Sequence, residues 1–250
     1  MPRPGQVTIY SRRNPTSTPP PETILGSNLL DIFYASNASL SGSNVLSLTG
    51  QNGTVLTPTA SNPQYFATDP NNYVTGPVIR FQASLSQTLR NNSLNTTPIF
   101  LPAGSRPFHW YLGYAHNFGE IHSMMVLADA ETYTQHIRVY SGTYHASQFS
   151  VPTGTKLSGG LPASFGANLF GCHINASGVS VWMNGGFDAR NNLAGFTTPT
   201  TMTTLTIGSS HGGGFADATF SVGGVCLAVP PAEELEQLWN WAQLRIRVGV

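Results

Sequence analysis

Short β-type runs, separated by clusters of glycine, proline, asparagine and serine, follow one another from about residue 24 to residue 229. This pattern is typical of a β-sandwich or barrel, whereas a parallel α/β sheet needs helical connections between its strands. The predicted strands are 44–48, 78–81, 108–114, 121–127, 133–140, 143–149, 168–175, 179–184, 203–207 and 218–229. We therefore predict an all-β fold, a two-sheet antiparallel β-sandwich.

The run at 179–183 shows the clearest alternation of side chains. Val179, Val181 and Met183 share one face of this strand, and Trp182 faces the other way. We expect Trp182 to point either to solvent or onto a C-terminal helix. Cys172 and Cys226 lie among apolar or small residues, so we expect buried free thiols, with a bridge between neighbouring strands as the alternative.

One short α-helix is predicted near the C-terminus, over residues 231–244. A proline stands in its first turn, glutamates follow near its N-terminal end, and two arginines lie just past its C-terminal end. Its apolar residues recur at i, i+3, i+4 and i+7, which predicts one buried face. That face comprises Leu235, Leu238, Trp239 and Ala242, with Glu234 on the opposite, hydrated side.

Residues 1–24 are rich in proline and arginine and predict an extended N-terminal arm, neither a helix nor a central strand. The arm is either a terminus without contacts or a segment that docks on a partner chain. Docking would use the arginines and apolar residues Arg3, Val7, Ile9, Tyr10, Arg12 and Arg13. The rest, residues 25–250, is predicted to form a single domain that includes the C-terminal helix. No apolar run follows Met1, so we expect no secretory signal peptide.

The charge balance excludes several classes of partner. Only 9% of the residues are charged and the formal net charge is zero, so we expect neither nucleic acid nor an anionic membrane as a partner. No apolar stretch is long enough for a transmembrane helix. Lys156 is the only lysine and lies outside any Gly-x-x-x-x-Gly-Lys pattern, which excludes a phosphate-binding loop of that type.

Candidate catalytic residues are few. Glu120, Asp129 and Glu131 are interpreted as solvated turn carboxylates. Ser210 lies in a Gly-x-Ser-x-Gly sequence, but the glycines that follow cannot readily begin the helix that a hydrolase nucleophile requires. We expect no catalytic residue and no enzyme.

Candidate metal ligands are also scattered. The seven histidines (His109, His116, His122, His136, His145, His173 and His211) show neither His-x-His nor His-Glu-x-x-His spacing. Asp69 with Asn71 and Asn72, and Asp188 with Asn191 and Asn192, are incomplete calcium ligand sets. We expect no metal and no cofactor.

Three segments together resemble the concanavalin A-like lectin/glucanase superfamily, in particular its laminin-G-like branch. They are a strand and Asn-Gly turn at 179–185, a strand followed by a glycine-rich loop at 205–214, and a last strand that leads into a helix at 215–235. The resemblance covers about residues 27–244 and implies a concanavalin A-like jelly roll. The strand with paired carboxylates that the glucanase members use is missing.

Two functions are compatible with the predicted fold and the missing carboxylate strand. The first is a structural virion protein, the head decoration or cement protein of a tailed phage. It would bind the major capsid protein or other virion proteins through the arm and the jelly-roll surface, form a homo-oligomer and be located in the virion. The alternative is a lectin-like glycan-binding module, from a phage receptor-binding or bacterial protein, with Trp110, Tyr111 and Tyr114 as candidate sugar contacts unless these rings belong to the core. A glycoside hydrolase or lyase is disfavoured by the missing carboxylates.

Overall fold

A computed structural model describes residues 18–91, 107–116, 122–128, 133–140, 143–150, 154–157, 161–162, 166–175, 178–190, 203–209 and 214–247. The helices are α1 (Pro21–Leu25) and α2 (Ala232–Gln243). The strands are β1 (Leu29–Tyr34), β2 (Ala38–Ser41), β3 (Asn44–Thr49), β4 (Val55–Pro58), β5 (Gln64–Phe66), β6 (Val78–Phe81), β7 (Leu89–Arg90), β8 (Phe108–Ala115), β9 (His122–Ala128), β10 (Tyr133–Tyr140), β11 (Thr143–Ser150), β12 (Gly154–Leu157), β13 (Leu161–Pro162), β14 (Asn168–Asn175), β15 (Gly178–Met183), β16 (Gly186–Arg190), β17 (Thr204–Ile207) and β18 (Ala218–Cys226). Among these elements, no helix is long and apolar enough to cross a membrane.

The strands form two antiparallel sheets that meet at one edge. In sheet A, neighbouring strands follow in the order β16, β15, β14, β8 and β18. On its other edge, β18 pairs with both β1 and β6, and β5, β3 and β2 continue the sheet beyond β6. In sheet B, β12 and β13 pair with β11, and β10, β9, β17, β7 and β4 follow in that order. Strand β4 also pairs with β3, which joins the two sheets. The structure confirms the predicted all-β sandwich.

The main core lies between the two sheets. Ile79 and Phe220 of sheet A belong to the same buried cluster as Met125, Leu127 and Ile207 of sheet B. All five side chains are fully buried. Because successive side chains of a strand point to opposite faces, the other face of sheet A needs a separate cover.

Helices α1 and α2 cover part of that outer face of sheet A. Trp110 of β8 and Trp182 of β15 form a second buried cluster with Leu238 and Trp241 of α2. The rings of Trp110 and Trp241 meet edge to face at 6.4 Å. Sheet A is therefore the middle layer of the domain, and Trp182 packs towards α2, one of the two orientations that its sequence position predicts.

The buried face of α2 differs from the sequence-based expectation. Leu235, Leu238 and Ala242 are buried as predicted, but the fourth large contact is Trp241, whereas Trp239 is half-buried. The prediction for Glu234 is wrong, because at 100° per residue its position falls between those of Leu238 and Trp241. Its Oε2 is buried without a hydrogen-bond partner, and burial raises the pKa of this carboxyl.

The N-terminal segment also differs from the prediction of an extended chain up to residue 24. Residues Pro21–Leu25 form a short helix, with Pro21 at its first position, where a missing N–H and a fixed φ are tolerated. Ile24 and Leu25 pack into the cluster that α2 covers. The proposed docking residues Arg3, Val7, Ile9, Tyr10, Arg12 and Arg13 lie outside the described residues, so partner docking stays a prediction.

Glycines make room for the aromatic rings under α2. Gly224 and Gly171 are the register partners of Trp110 on the two neighbouring strands. A Cβ atom added at Gly224 would lie 2.8 Å from Trp110 Cε2, and one added at Gly171 would overlap the Phe108 ring. The absence of side chains at these two positions lets large rings lie flat over the sheet.

We expect Gly224→Ala to lower the free energy of unfolding by about 1–3 kcal/mol, the usual cost of overpacking a core. The added methyl group meets the indole of Trp110. Trp110→Phe removes the clashing part of that ring, so the double variant should lose less stability than the sum of the two single variants. Urea denaturation measures this coupling, and strict additivity would contradict it.

Candidate functional site

The three aromatic residues proposed as sugar contacts are buried. Trp110 lies under α2, and Tyr111 lies in the core between the sheets, where its hydroxyl donates to the carbonyl oxygen of Thr219 at 2.5 Å. Tyr114 is 2% exposed, packs edge to face on Tyr73 and donates to Asp69 Oδ1. None of the three rings offers a face to a sugar. Their assignment to a binding platform is therefore corrected to a packing role.

Asp69, a candidate calcium ligand, is fully engaged by protein donors. The backbone N–H groups of Tyr73 and Val74 donate to its Oδ2, at 2.8 and 2.9 Å. The backbone N–H of Asn71 and the Tyr114 hydroxyl donate to its Oδ1. This buried carboxylate organises the loop before β6, and its bonding is satisfied without a cation.

Several other candidates lie outside the described part of the chain: Glu120, Asp129, Glu131, Asn191, Asn192, Ser210 and His211. Asp188 lies on β16, and its side chain is also outside that part. Among the residues that the structure describes, no group of three or more His, Cys, Asp or Glu side chains could hold a metal ion. Cys172 and Cys226 are buried free thiols, as predicted.

A cleft of about 340 Å³ opens beside the C-terminal end of α2 on the outer face of sheet A. We call it the Tyr34 cleft. Its walls are Tyr34 at the end of β1, residues 75–77 before β6, Ser221 of β18, and Leu244 with Arg245 after α2. Its volume lies at the lower end of the range usual for small-molecule sites, about 300–1,000 Å³.

A β-bulge places Ser221 in this wall. The register between β18 and β8 shifts between Phe220 and Val222, so Ser221 is the additional residue of β18. Such a bulge re-aims a side chain that would otherwise follow the regular alternation of the strand. In the chain, Ser221 stands between Phe220, which faces the core, and Val222, which lies on the outer face. The bulge explains how Ser221 can line the cleft from this position.

Hydrogen bonds fix the ring of Tyr34. Its hydroxyl donates to Glu22 Oε2 at 2.7 Å, and Gln51 Nε2 donates to Glu22 Oε1 at 2.6 Å. The ring meets Trp241 edge to face at 6.5 Å. Burial, and then the hydrogen bond and charge of Glu22, raise the pKa of Tyr34. The phenol therefore stays protonated and oriented at physiological pH.

Arg245 supplies the positive charge of the cleft. Its guanidinium carbon lies 4.0 Å from the centre of the Trp241 ring, a cation–π contact that orients the group. Burial lowers the pKa of Arg245, and the charges of Tyr34 and Glu22 oppose this effect. An arginine keeps its charge under such conditions. No carboxylate of the described residues forms an ion pair with it.

Backbone hydrogen bonds join the two segments that form another wall of the cleft, the loop before β6 and the chain after α2. Thr75 N donates to the carbonyl oxygen of Arg245 at 2.7 Å, and Arg247 N donates to that of Tyr73 at 2.8 Å. The Arg247 side chain donates to Thr75 Oγ1 and to Asn72 Oδ1. The chain after α2 is thus tied to the loop before β6, and the cleft between them is preformed.

No protein-family model matches the chain, and no curated protein sequence matches it. Solved structures with the same fold include domain 4 of AbnA, a GH43 extracellular arabinanase from Geobacillus stearothermophilus, in complex with arabinotriose (TM-score 0.60, 11% identity, 84% of this chain and 98% of that domain). An arabinofuranosidase complexed with arabinofuranosyl-α-1,2-xylobiose has a TM-score of 0.63 and 10% identity over 90% of this chain and 65% of its own. The botulinum neurotoxin serotype G binding domain has a TM-score of 0.56 and 10% identity over 86% of this chain and 51% of its own.

These likenesses are too remote in sequence to carry more than the fold. The chain spans nearly all of the arabinanase domain, but only about two thirds of the arabinofuranosidase chain and half of the neurotoxin domain. What is shared is the antiparallel sandwich described above. The chain therefore has an antiparallel β-sandwich fold of the kind that these solved structures contain.

Proposed function

We propose that this chain is a glycan-binding module without catalytic activity, and that the Tyr34 cleft receives the sugar. The observation that carries the proposal is the cleft itself, which combines an oriented aromatic ring, a serine and a guanidinium group in fixed walls. A ligand site of this kind pairs apolar surface with a few placed polar groups. Tyr34 would contact the apolar face of a sugar ring, and Arg245 would donate to its oxygens.

The placement of carboxylates supports binding rather than hydrolysis, because none lines the described wall of the cleft. Glycoside hydrolysis in most families needs two carboxyl groups on either side of the scissile bond. The described residues that line the cleft include no aspartate or glutamate. Glu22, which lies behind Tyr34, already accepts hydrogen bonds on both oxygens.

Decoration of a phage capsid, the first function that the sequence suggested, stays a prediction. It depends on the arm, whose residues lie outside the described part of the chain, and the solved structures named above give it no support. The expected capsid partner, homo-oligomer and virion location remain predictions in the same way. The fold likeness favours the glycan-binding alternative.

Isothermal titration with a panel of sugars tests this proposal. Arabinotriose and arabinofuranosyl-xylobiose serve as neutral probes, and sialic acid serves as an acidic one. We expect Arg245→Met and Tyr34→Leu to weaken binding of the recognised sugar about tenfold or more, the usual effect of losing a hydrogen bond to a charged group or an aromatic contact. Circular dichroism establishes that both variants are folded.

Gln237→Ala, an exposed change on α2, is the matched control and should bind like the wild type. Failure of the wild type to bind any probe at millimolar concentration would contradict the proposed function. Unchanged binding by both cleft variants would show that the sugar binds elsewhere.

A further inference from the structure

A row of polar side chains crosses the outer face of sheet A at the positions of three strand pairs. Gln64 of β5 pairs with Arg80 of β6, Arg80 pairs with Thr219 of β18, and Thr219 pairs with Tyr114 of β8. The sequence neighbours of Arg80 and Thr219 belong to the core between the sheets, so this row faces away from that core. The row shares none of the residues that line the Tyr34 cleft.

His116 and Asp217 lie at the end of this row. The backbone N–H of His116 donates to the carbonyl oxygen of Asp217 at 2.8 Å. The ring of His116 hydrogen bonds through Nε2 to Thr219 Oγ1 at 2.8 Å and packs edge to face on Tyr114 at 5.0 Å. Asp217 Oδ1 accepts a hydrogen bond from the backbone N–H of Ala83 at 2.8 Å. Both side chains are therefore held in place and remain partly exposed.

Arg80 stands out because its guanidinium has no partner among the residues that the structure describes. Its Nε atom is buried and makes no hydrogen bond. No hydrogen bond or ion pair joins Arg80 to any residue of the described part of the chain. A buried donor without a partner is costly, and most such groups in folded proteins are satisfied by protein, water or a ligand. Arg80 thus keeps donor capacity that none of the described residues uses.

The charges around Arg80 indicate the kind of group that it meets. Asp217 and the buried Asp69 are close enough to raise the pKa of His116, and Arg80 is close enough to lower it. Burial is the largest influence and lowers that pKa, so His116 is neutral at pH 7. Two carboxylates and one arginine act on His116, and this excess of negative charge disfavours a sulfate or phosphate. The side chains around Arg80 instead offer both hydrogen-bond donors and hydrogen-bond acceptors.

We propose that Arg80, Asp217 and Gln64 form a second sugar-binding site, which takes adjacent hydroxyl groups of a neutral sugar. Arg80 donates to one hydroxyl, Asp217 Oδ2 accepts from the next, and Gln64 supplies either role. This inference rests on the proposed function, because it assumes that the chain binds glycans. It adds the class of sugar and a contact surface separate from the Tyr34 cleft.

Two variants test the site by titration with the neutral probe arabinotriose, and with the arabinofuranosyl-xylobiose probe if only that sugar binds. We expect Arg80→Met and Asp217→Asn each to weaken one of the two binding steps of the wild type about tenfold or more, and to leave the step that belongs to the Tyr34 cleft unchanged. Glu236→Gln, which removes an exposed charge on α2, is the matched control and should bind like the wild type. In the wild type, the sugar should also shift the ring NMR signals of His116.

The stability of Arg80→Met separates a binding role from a structural one. Since Arg80 makes no hydrogen bond or ion pair with the described residues, its replacement by an apolar side chain of similar length should leave the urea midpoint equal or higher. A large fall in the midpoint would show that the arginine supports the fold, and would overturn the inference.

The outcomes distinguish this inference from the proposed function. If the wild type binds no probe, both fail. If the wild type binds a neutral probe and both Arg80→Met and Asp217→Asn bind it equally well, the second site fails while the proposed function stands. If sialic acid is the only probe that binds and Arg80→Met abolishes its binding, the site exists but its assignment to neutral sugars is wrong.

Discussion

Trp241→Ala is expected to lower the free energy of unfolding by about 3–5 kcal/mol, the usual range for truncating a buried tryptophan. That loss is a large share of a typical domain stability of about 5–15 kcal/mol. Trp241 is 2% exposed and touches Trp110 of the sheet and Tyr34 of β1 through edge-to-face ring contacts. Its replacement opens a cavity between α2 and sheet A, and it also removes the ring on which Arg245 stacks.

Urea denaturation of three variants isolates this effect. Gln237→Ala, on the exposed side of α2, should change stability by less than about 0.5 kcal/mol. Trp239→Ala, at a half-buried position, should fall between the other two. Equal midpoints for Trp241→Ala and Gln237→Ala would mean that α2 does not stabilise the domain in solution.

Ten of the eighteen strands that the structure describes were predictable, because their alternation and the turn residues between them are local features. All ten predicted strands are present, with ends that differ by at most a few residues; the last ends at Cys226 instead of residue 229. Strand β1 was not among them, although five of its six residues are apolar or aromatic. It contains the buried Asp31 at a bulge, whose carboxylate accepts from the backbone N–H groups of Asn52 and Thr54, a partnership visible only after folding.

The buried face of α2 shows what the spacing of apolar residues can predict and what it cannot. It correctly indicates a helix with one apolar side, but Trp239 and Trp241 lie at opposite edges of that side, and the sequence offers no means to choose between them. The choice depends on the rings of Trp110 and Tyr34, which lie on distant strands. The same contacts bring Glu234 onto the covered side.

The candidate sites could not be predicted, because their residues come from separate parts of the chain. The Tyr34 cleft joins the end of β1, the loop before β6, the bulge of β18 and the residues after α2. The sequence directs attention to Trp110, Tyr111 and Tyr114, since aromatic residues on a strand suit either a sugar platform or a core. The cover over each ring decides between these roles: α2 covers Trp110, sheet B covers Tyr111, and the loop at 69–74 covers Tyr114. This cover is a tertiary feature.

A buried histidine makes the stability of the domain sensitive to acid. His109 of β8 is fully buried, and its ring nitrogens lie 3.5 and 3.6 Å from the sulfur of Cys172 on the neighbouring strand. Burial lowers the pKa of His109 from 6.5 to about 3; a backbone hydrogen bond with Met125 opposes this shift, and the charge of His173 adds to it. The folded protein therefore holds this ring neutral at pH values where the unfolded chain protonates it.

The sign of the pH dependence follows from these two pKa values. Between pH 6.5 and about 3 the unfolded chain binds a proton that the folded protein does not, so acid favours unfolding. The stabilisation is complete above pH 6.5 and is lost as the pH falls towards 3. At about 1.4 kcal/mol per pH unit, the loss attributable to His109 is roughly 3 kcal/mol between pH 7 and pH 4.

Urea denaturation at a series of pH values measures this loss against two variants. We expect His109→Gln to be less stable than the wild type at pH 7, because it disturbs the core, but to show a flatter decline between pH 7 and pH 4. His116→Gln, at a partly exposed position, should keep most of the wild-type decline. Parallel curves for the wild type and His109→Gln, or an NMR titration in which the His109 ring takes up a proton above pH 5 in the folded protein, would show that the site is more hydrated than its burial indicates.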